Sequence, residues 1–299
     1  MTDIILLDGG MGQELIHRAG DKPTPLWSTQ VMFDHPGMVG QVHADYRAAG
    51  ATVQTTNTYA IHHDRLAGTP LADRFTALHR AALREAAGHG VLAGSIGPIG
   101  ASYRPDLLPP HELAVSIFHE VAEILAPSVD LLIGETIVSV AHAKALAEAA
   151  LQTGKPVWLA MSVDEDDGTK LRSGEPLADV FAVADGCAAL LVNCSSPEAI
   201  TTAMDVLADG PLPYGGYANG FTRISEGFLG DKPTVDALTT RTDLGPDAYA
   251  RFAMDWIAKG ATIVGGCCEV GPAHIARLAE TIRAAGHTIV APNAKGIPA

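Results

Sequence analysis

The chain is predicted to fold as a single-domain α/β protein, a (β/α)8 TIM barrel. Three observations point there. Eight apolar runs rich in Val, Ile, Leu and Ala recur at even spacing along 299 residues, separated by amphipathic helical stretches. Most runs are continuous rather than alternating, as strands buried on both faces of a parallel sheet are. The chemically distinctive residues fall at or just past the C-terminal ends of these runs, where a barrel gathers them into one ring. A doubly wound open sheet is the alternative, but it does not easily bring the first, sixth and eighth strands to one point.

Strands are expected at 4–8, 52–57, 91–95, 130–135, 157–162, 189–193, 213–217 and 262–265. Helices are expected at 36–49, 71–87, 111–126, 139–152, 175–184, 197–207, 246–258 and 272–285. Several begin at Pro or an acidic residue and stop at Gly, as at Gly50, Gly88 and Gly154. Three connections on the presumed active face are long, at 97–110, 163–174 and 220–245, and are read as lids. Residues 1–286 are assigned to the barrel and 287–299, with Gly, Pro and Asn, to a loosely ordered tail.

A 47% hydrophobic chain of this length can bury a sizeable core. No apolar stretch approaches the roughly 20 residues needed to span a membrane. The N-terminal run lacks a basic flank and a cleavage site, so a cytoplasmic protein is expected. The net charge of -14 argues against nucleic acid and anionic membrane as partners. The oligomeric state is left open, a homo-oligomer included. Twelve histidines, among them His62 and His63, show no metal-ligand spacing and are read as surface or core residues. The seven lysines fall in predicted loops or helices, which disfavours Schiff-base chemistry at a strand end.

Four cysteines are present, and disulfides are not expected from them. Cys187 reads as a small buried hydrophobe. Cys194 ends the sixth run, and Cys267 and Cys268 follow the eighth. Three thiols at the mouths of two buried strands can converge on one soft cation, with zinc the first candidate. Three protein ligands leave a fourth position open, which suits catalysis rather than structure. Zinc held by three thiolates is suited to a fourth sulfur, and a thiol that joins it is deprotonated. Three unrelated buried cysteines are the alternative.

The chain resembles the homocysteine S-methyltransferase family throughout its length. The matching segments are Leu7-Asp8-Gly9-Gly10-Met11-Gly12, Pro25-Leu26-Trp27-Ser28 with His35-Pro36, and Gln54-Thr55-Thr56-Asn57-Thr58-Tyr59. Gly94-Ser95-Ile96-Gly97-Pro98, Glu135-Thr136, Val192-Asn193-Cys194 and Gly265-Gly266-Cys267-Cys268 follow in order. The resemblance implies a zinc-dependent barrel that methylates the thiol of homocysteine to give methionine, with a small-molecule thiol acceptor and a methyl donor as its partners. Other thiols or selenols, such as selenocysteine, are alternative acceptors, and a non-catalytic zinc- or thiol-binding barrel is the alternative from another class.

The resemblance also implies roles. Cys194, Cys267 and Cys268 would hold Zn2+. Asp8 and Glu135 would accept hydrogen bonds from the substrate ammonium, and the amides of Gly9 and Gly10 with Thr55 would hold its carboxylate. Asn193 joins this substrate-binding set. Trp27 and Tyr59, with Asn219, would face the donor, since sulfonium and quaternary ammonium donors are cations that aromatic faces attract. Taken alone, Asp8 reads better as a helix N-cap or turn residue and Glu135 as a salt-bridge partner, while the two aromatics read equally as core. Two segments depart from the family pattern. Ala218 stands before Asn219 where proline is common, and the stretch after Gly100 is short. They leave the donor open among S-methylmethionine, S-adenosylmethionine, betaine and similar compounds. The chain ends soon after the eighth unit, so no cobalamin or folate module is expected with it.

Overall fold

A computed structural model describes residues 1–20, 24–230 and 234–298. Lys22 and Lys232, and parts of the expected 220–245 loop and 287–299 tail, lie outside the described residues. Nine parallel strands form one sheet: β1 (Asp3–Leu6), β2 (Val53–Thr55), β3 (Val91–Ile96), β4 (Leu131–Ile137), β5 (Val157–Met161), β6 (Ala189–Asn193), β7 (Tyr214–Tyr217), β8 (Ile263–Val264) and β9 (Thr288–Val290). Their order is β2-β3-β4-β5-β6-β7-β8-β1-β9. Each consecutive pair is joined by a crossover, so the sheet is wound in one sense and curls. Beyond their paired strands, Leu7 and Val53 form a parallel bridge between the β1 and β2 segments.

The apolar runs make sense once both faces are seen. Ile4 and Leu6 point into a large outer core shared with the helices, while Ile5 and Leu7 point into a smaller inner one. The same alternation splits Leu131, Leu132 and Ile133, and Trp158, Leu159 and Ala160. Side chains alternate sides along a strand, so a run buried on both faces must be apolar at every position. The inner cluster takes residues from each of β1 to β8, which a flat sheet would hold far apart. Gly215 sits where β7 presses on β8; a Cβ there would lie 1.7 Å from the Ile263 carbonyl oxygen.

Local signals set most helix ends. The helix Met38–Ala49 stops at left-handed Gly50, φ 110°. Ser139 accepts a hydrogen bond from the His142 amide, and Ser196 caps Pro197–Ala208 in the same way. Three helices lie where none was assigned from sequence: Met11–Ala19, Trp27–Asp34 and His63–Leu66. The helix expected at 175–184 is a 3-10 segment, Leu177–Val183. β4 runs two residues past its expected end, so Glu135 lies within the strand. Residues read as a loose tail include β9, which pairs with β1, and Gly296, whose carbonyl accepts from Trp158 Nε1 at 2.7 Å. Among the described residues no helix is long and apolar enough to cross a membrane.

Candidate metal and substrate site

A cavity of about 820 Å³ opens at the C-terminal ends of the strands. Cys194, Cys267 and Cys268 line it. Their sulfurs all lie within 4.8 Å of one another, the one such group of potential ligands among the described residues. The chain achieves this with two turns. Cys194 follows β6 in the left-handed region, φ 47°, with its amide donating to the Tyr217 carbonyl at 3.3 Å. The Cys267 amide donates to the Ala218 carbonyl at 2.9 Å, which ties the turn after β8 to the end of β7. A tetrahedral zinc–thiolate site separates its sulfurs by about 3.8 Å, so three cysteines gathered this closely suit that ion in donor type and reach once all three are reduced.

Cys194 and Cys267 are joined as a disulfide here, with Cα atoms 5.8 Å apart. This departs from the expectation of free thiols. The convergence that puts three sulfurs in one coordination sphere also puts two within covalent reach. Cys268 remains a buried thiol, pushed up to about 12 by burial and then by the nearby Glu269 and Glu135. Cys187 is buried apart from this cluster, as expected.

Two carboxylates stand beside the sulfurs. Asp8 is 1% exposed and accepts from the Thr55 amide at 2.8 Å and the Thr55 hydroxyl at 2.9 Å. Glu135 accepts from the Tyr217 hydroxyl at 2.9 Å and from the Ser95 hydroxyl. Burial holds both above the ordinary carboxylate range, against the lowering effect of these hydrogen bonds, and Glu135 raises Asp8 further. Among the described residues neither is paired with a cationic side chain, so a positive group brought into the cavity would meet two desolvated acids.

Other expected residues have polar groups that are bonded within the fold. Thr55 spends its hydroxyl and amide on Asp8. The Gly10 amide, expected to meet a substrate carboxylate, donates to the Val270 carbonyl at 3.0 Å. Gly9 and Gly10 act by closeness: a Cβ would lie 2.0 Å from Val270 O and 2.5 Å from Cys267 O respectively. Asn193 lines the cavity but spends its side chain on Thr136, accepting from its amide at 2.9 Å and donating to its hydroxyl at 3.3 Å. It thereby holds left-handed Thr136, φ 56°, next to Glu135. Asn219 is not among the cavity-lining residues. Its Oδ1 accepts from the Phe221 amide at 3.1 Å and shapes the turn after β7.

Trp27 and Tyr59 do line the cavity, edge to face at 6.0 Å. Tyr59 has Gly97 against its ring and the Arg65 guanidinium 5.6 Å from its centroid. Trp27, at φ 48°, donates through Nε1 to Gln13 Oε1 at 3.0 Å, and Gln13 donates in turn to Glu269 at 2.5 Å. This chain of contacts ties the indole to the residue after Cys268. Gly12 makes room for it, since a Cβ would lie 2.4 Å from the ring. Gly12→Ala is therefore expected to displace Trp27 and to cost roughly 1–3 kcal/mol of stability by overpacking. Acrylamide quenching of tryptophan fluorescence would report the shift, because Trp158 and Trp256 are fully buried.

The three long connections touch one another, and those at 97–110 and 220–245 line this cavity. Arg104 donates to the Leu229 carbonyl at 2.7 Å, and Glu165 accepts from the Ile224 amide at 3.2 Å while pairing with Arg172 at 3.1 Å. No described lysine lines the cavity. Sequence reasoning passed over Tyr217, Gln13, Tyr103 and Phe228. Tyr217 closes an expected strand, Gln13 lies in a helix not assigned from sequence, and Tyr103 and Phe228 lie in long connections whose position depends on tertiary contacts.

Residues 5–282 match the family model described as homocysteine S-methyltransferase. The chain is 33% identical to a homocysteine S-methyltransferase of Escherichia coli, over 92% of this chain and 94% of that protein. The solved homocysteine methyltransferase MmuM from Escherichia coli in its metallated form superposes with a TM-score of 0.77 at 30% identity, over 93% of this chain and 96% of that one. The same enzyme's oxidised form gives 0.76 at 29% identity, covering 93% and 95%. A selenocysteine Se-methyltransferase of Brassica oleracea is 23% identical over 90% of this chain and 86% of that protein.

Proposed function

Because the chain belongs to the homocysteine S-methyltransferase family, we propose that it moves a methyl group from a sulfonium or quaternary ammonium donor to the thiol of homocysteine, giving methionine. One observation supports this reading above others: three cysteine sulfurs and two desolvated carboxylates line one cavity at the strand ends. In the same reading the Leu7–Val53 bridge closes an eight-stranded barrel over residues 1–286.

Reduced Cys194, Cys267 and Cys268 would hold Zn2+ and leave one position for an outside sulfur. Zinc bound there lowers the pKa of a ligating thiol so that it is a thiolate at neutral pH. Asp8 and Glu135 take the acceptor's ammonium, which restores to each the charge that burial penalises. Thr55, Ser95 and Tyr217 aim those carboxylates, and Asn193 braces the backbone after Glu135. Trp27 offers an aromatic face for the cationic donor. The reaction is a displacement at carbon and asks the protein for alignment of donor, methyl and sulfur rather than for an acid or base at the reacting carbon. The relative named for selenocysteine favours a selenol as the second acceptor.

The test incubates reduced, zinc-loaded protein with homocysteine and, separately, S-methylmethionine, S-adenosylmethionine, betaine and dimethylsulfoniopropionate. Methionine is expected with at least one donor. None from any donor, in a sample that retains zinc, would favour the non-catalytic alternative.

A further inference from the structure

We infer that Tyr103 orients the methyl donor, its hydroxyl oxygen meeting the onium centre beside the acceptor sulfur. This deepens the methyl-transfer reading and rests on it. The chain has six tyrosines, and five use their hydroxyls within the fold. Tyr103 alone has no hydrogen-bond partner for its hydroxyl among the described residues. Its ring is 7% exposed and packs with Cys194 and Cys268. A sealed, unpartnered phenol would be costly. The Tyr103 hydroxyl is not one of the sealed atoms, however; it belongs to a side chain that lines the cavity. The hydroxyl thus keeps accessible surface on a residue of the cavity wall, where a ligand can reach it.

The backbone supports the same conclusion. Tyr103 has φ 65°, a left-handed conformation that a bulky residue rarely adopts. Such strain persists where surrounding contacts enforce it, and it gathers at functional sites. The enforcing contacts are visible. The Arg172 guanidinium lies 4.5 Å from the ring centroid, and Phe228 packs at 6.0 Å. Arg172 is itself pinned, donating to Ser162 Oγ at 3.0 Å and to Glu165 at 3.1 Å. Ser162 in turn donates to the Cys194 carbonyl at 3.3 Å. One network thus fixes both the phenol and the turn that carries a sulfur ligand.

The contact must be made by the hydroxyl. A second cation over a ring that already carries a guanidinium is disfavoured, so the ring is not a free platform for an onium group. The phenol oxygen has lone pairs, and methyl groups on a sulfonium or ammonium centre are polarised C–H donors toward such an atom. The arginine's charge is offset by Glu165, so it does not expel the donor.

Tyr103→Phe removes the oxygen and keeps the ring. We expect about a five-fold loss in kcat/KM for the donor, the size of one C–H···O contact. Homocysteine KM, zinc content and Tm should stay as in the wild type, which a packing defect would not allow. Binding is read separately by titrating zinc-free protein with S-methyl-L-methionine and following Trp27 fluorescence; the variant should bind several-fold more weakly. Equal donor binding and kcat/KM within two-fold in the two proteins would overturn the inference while leaving methyl transfer intact. A wild type that neither binds an onium donor nor makes methionine would overturn both.

Discussion

Replacing Cys267 with serine is expected to strip the protein of zinc and of methyl transfer together, with activity falling more than about 100-fold. Changes one shell out from a metal cost 10- to 100-fold, and a lost ligand costs more. Serine matches cysteine in shape, so the turn after β8 keeps its amide bond to Ala218. What it lacks is a soft, ionisable donor; a neutral hydroxyl does not replace a thiolate on zinc. Two sulfurs then remain, too few to hold the ion against dialysis. Zinc per chain, measured by atomic absorption on a fully reduced sample, should drop from near one to near zero. Cys187→Ala is the control, since Cys187 lies outside the cluster and should keep both metal and activity. A Cys267→Ser protein that retained stoichiometric zinc would refute the proposed ligand set.

Glu135→Gln should do two opposite things: raise Tm and weaken homocysteine binding. Burial lifts the Glu135 pKa above its unfolded value, so the folded state binds more protons than the unfolded chain between the two values. Stability therefore falls as pH rises through that window, and at neutral pH the buried charge is a net cost. Glutamine removes the charge, and its amide can still accept from Tyr217. The same charge is what a substrate ammonium would pair with. Removing one partner of a buried charge pair costs about 2 kcal/mol or more, a rise in homocysteine KM of about 30-fold. Homocysteine binding in the wild type should weaken as pH drops toward the raised values of Asp8 and Glu135. The acid limb of kcat/KM should lie above the usual carboxylate range. In the variant Asp8 loses the repulsion of its neighbour, so the residual limb should move to lower pH. A variant with unchanged homocysteine KM would show that Glu135 does not contact the acceptor.

Both arguments start from residues that could be picked out one-dimensionally. Cys194 and Cys267-Cys268 stood out because each closes a strand-like run, and runs that end on one face of a parallel sheet share a neighbourhood. Asp8 and Glu135 were found through the motifs around them. The tasks of Thr55, Gly10, Asn193 and Asn219 were not legible in this way. A side chain's hydrogen-bond capacity is spent on whichever partner the fold brings closest: Asn193 is spent on Thr136, Thr55 on Asp8 and Asn219 on Phe221. Tyr103 was visible only as part of a short, atypical loop. Its importance depends on Arg172, Cys194, Phe228 and Cys268 arriving from four distant segments.

The order of the first eight strands, the double burial of the sheet and the identity of the sulfur cluster were written in apolar periodicity and residue type, because burial and metal affinity are properties of the side chains themselves. Which polar groups stay free for a ligand, the ninth strand at β1, and the covalent joining of two of the three sulfurs were decided by the tertiary structure. Those outcomes depend on distances of a few ångströms between segments far apart in the chain, which local pattern does not encode.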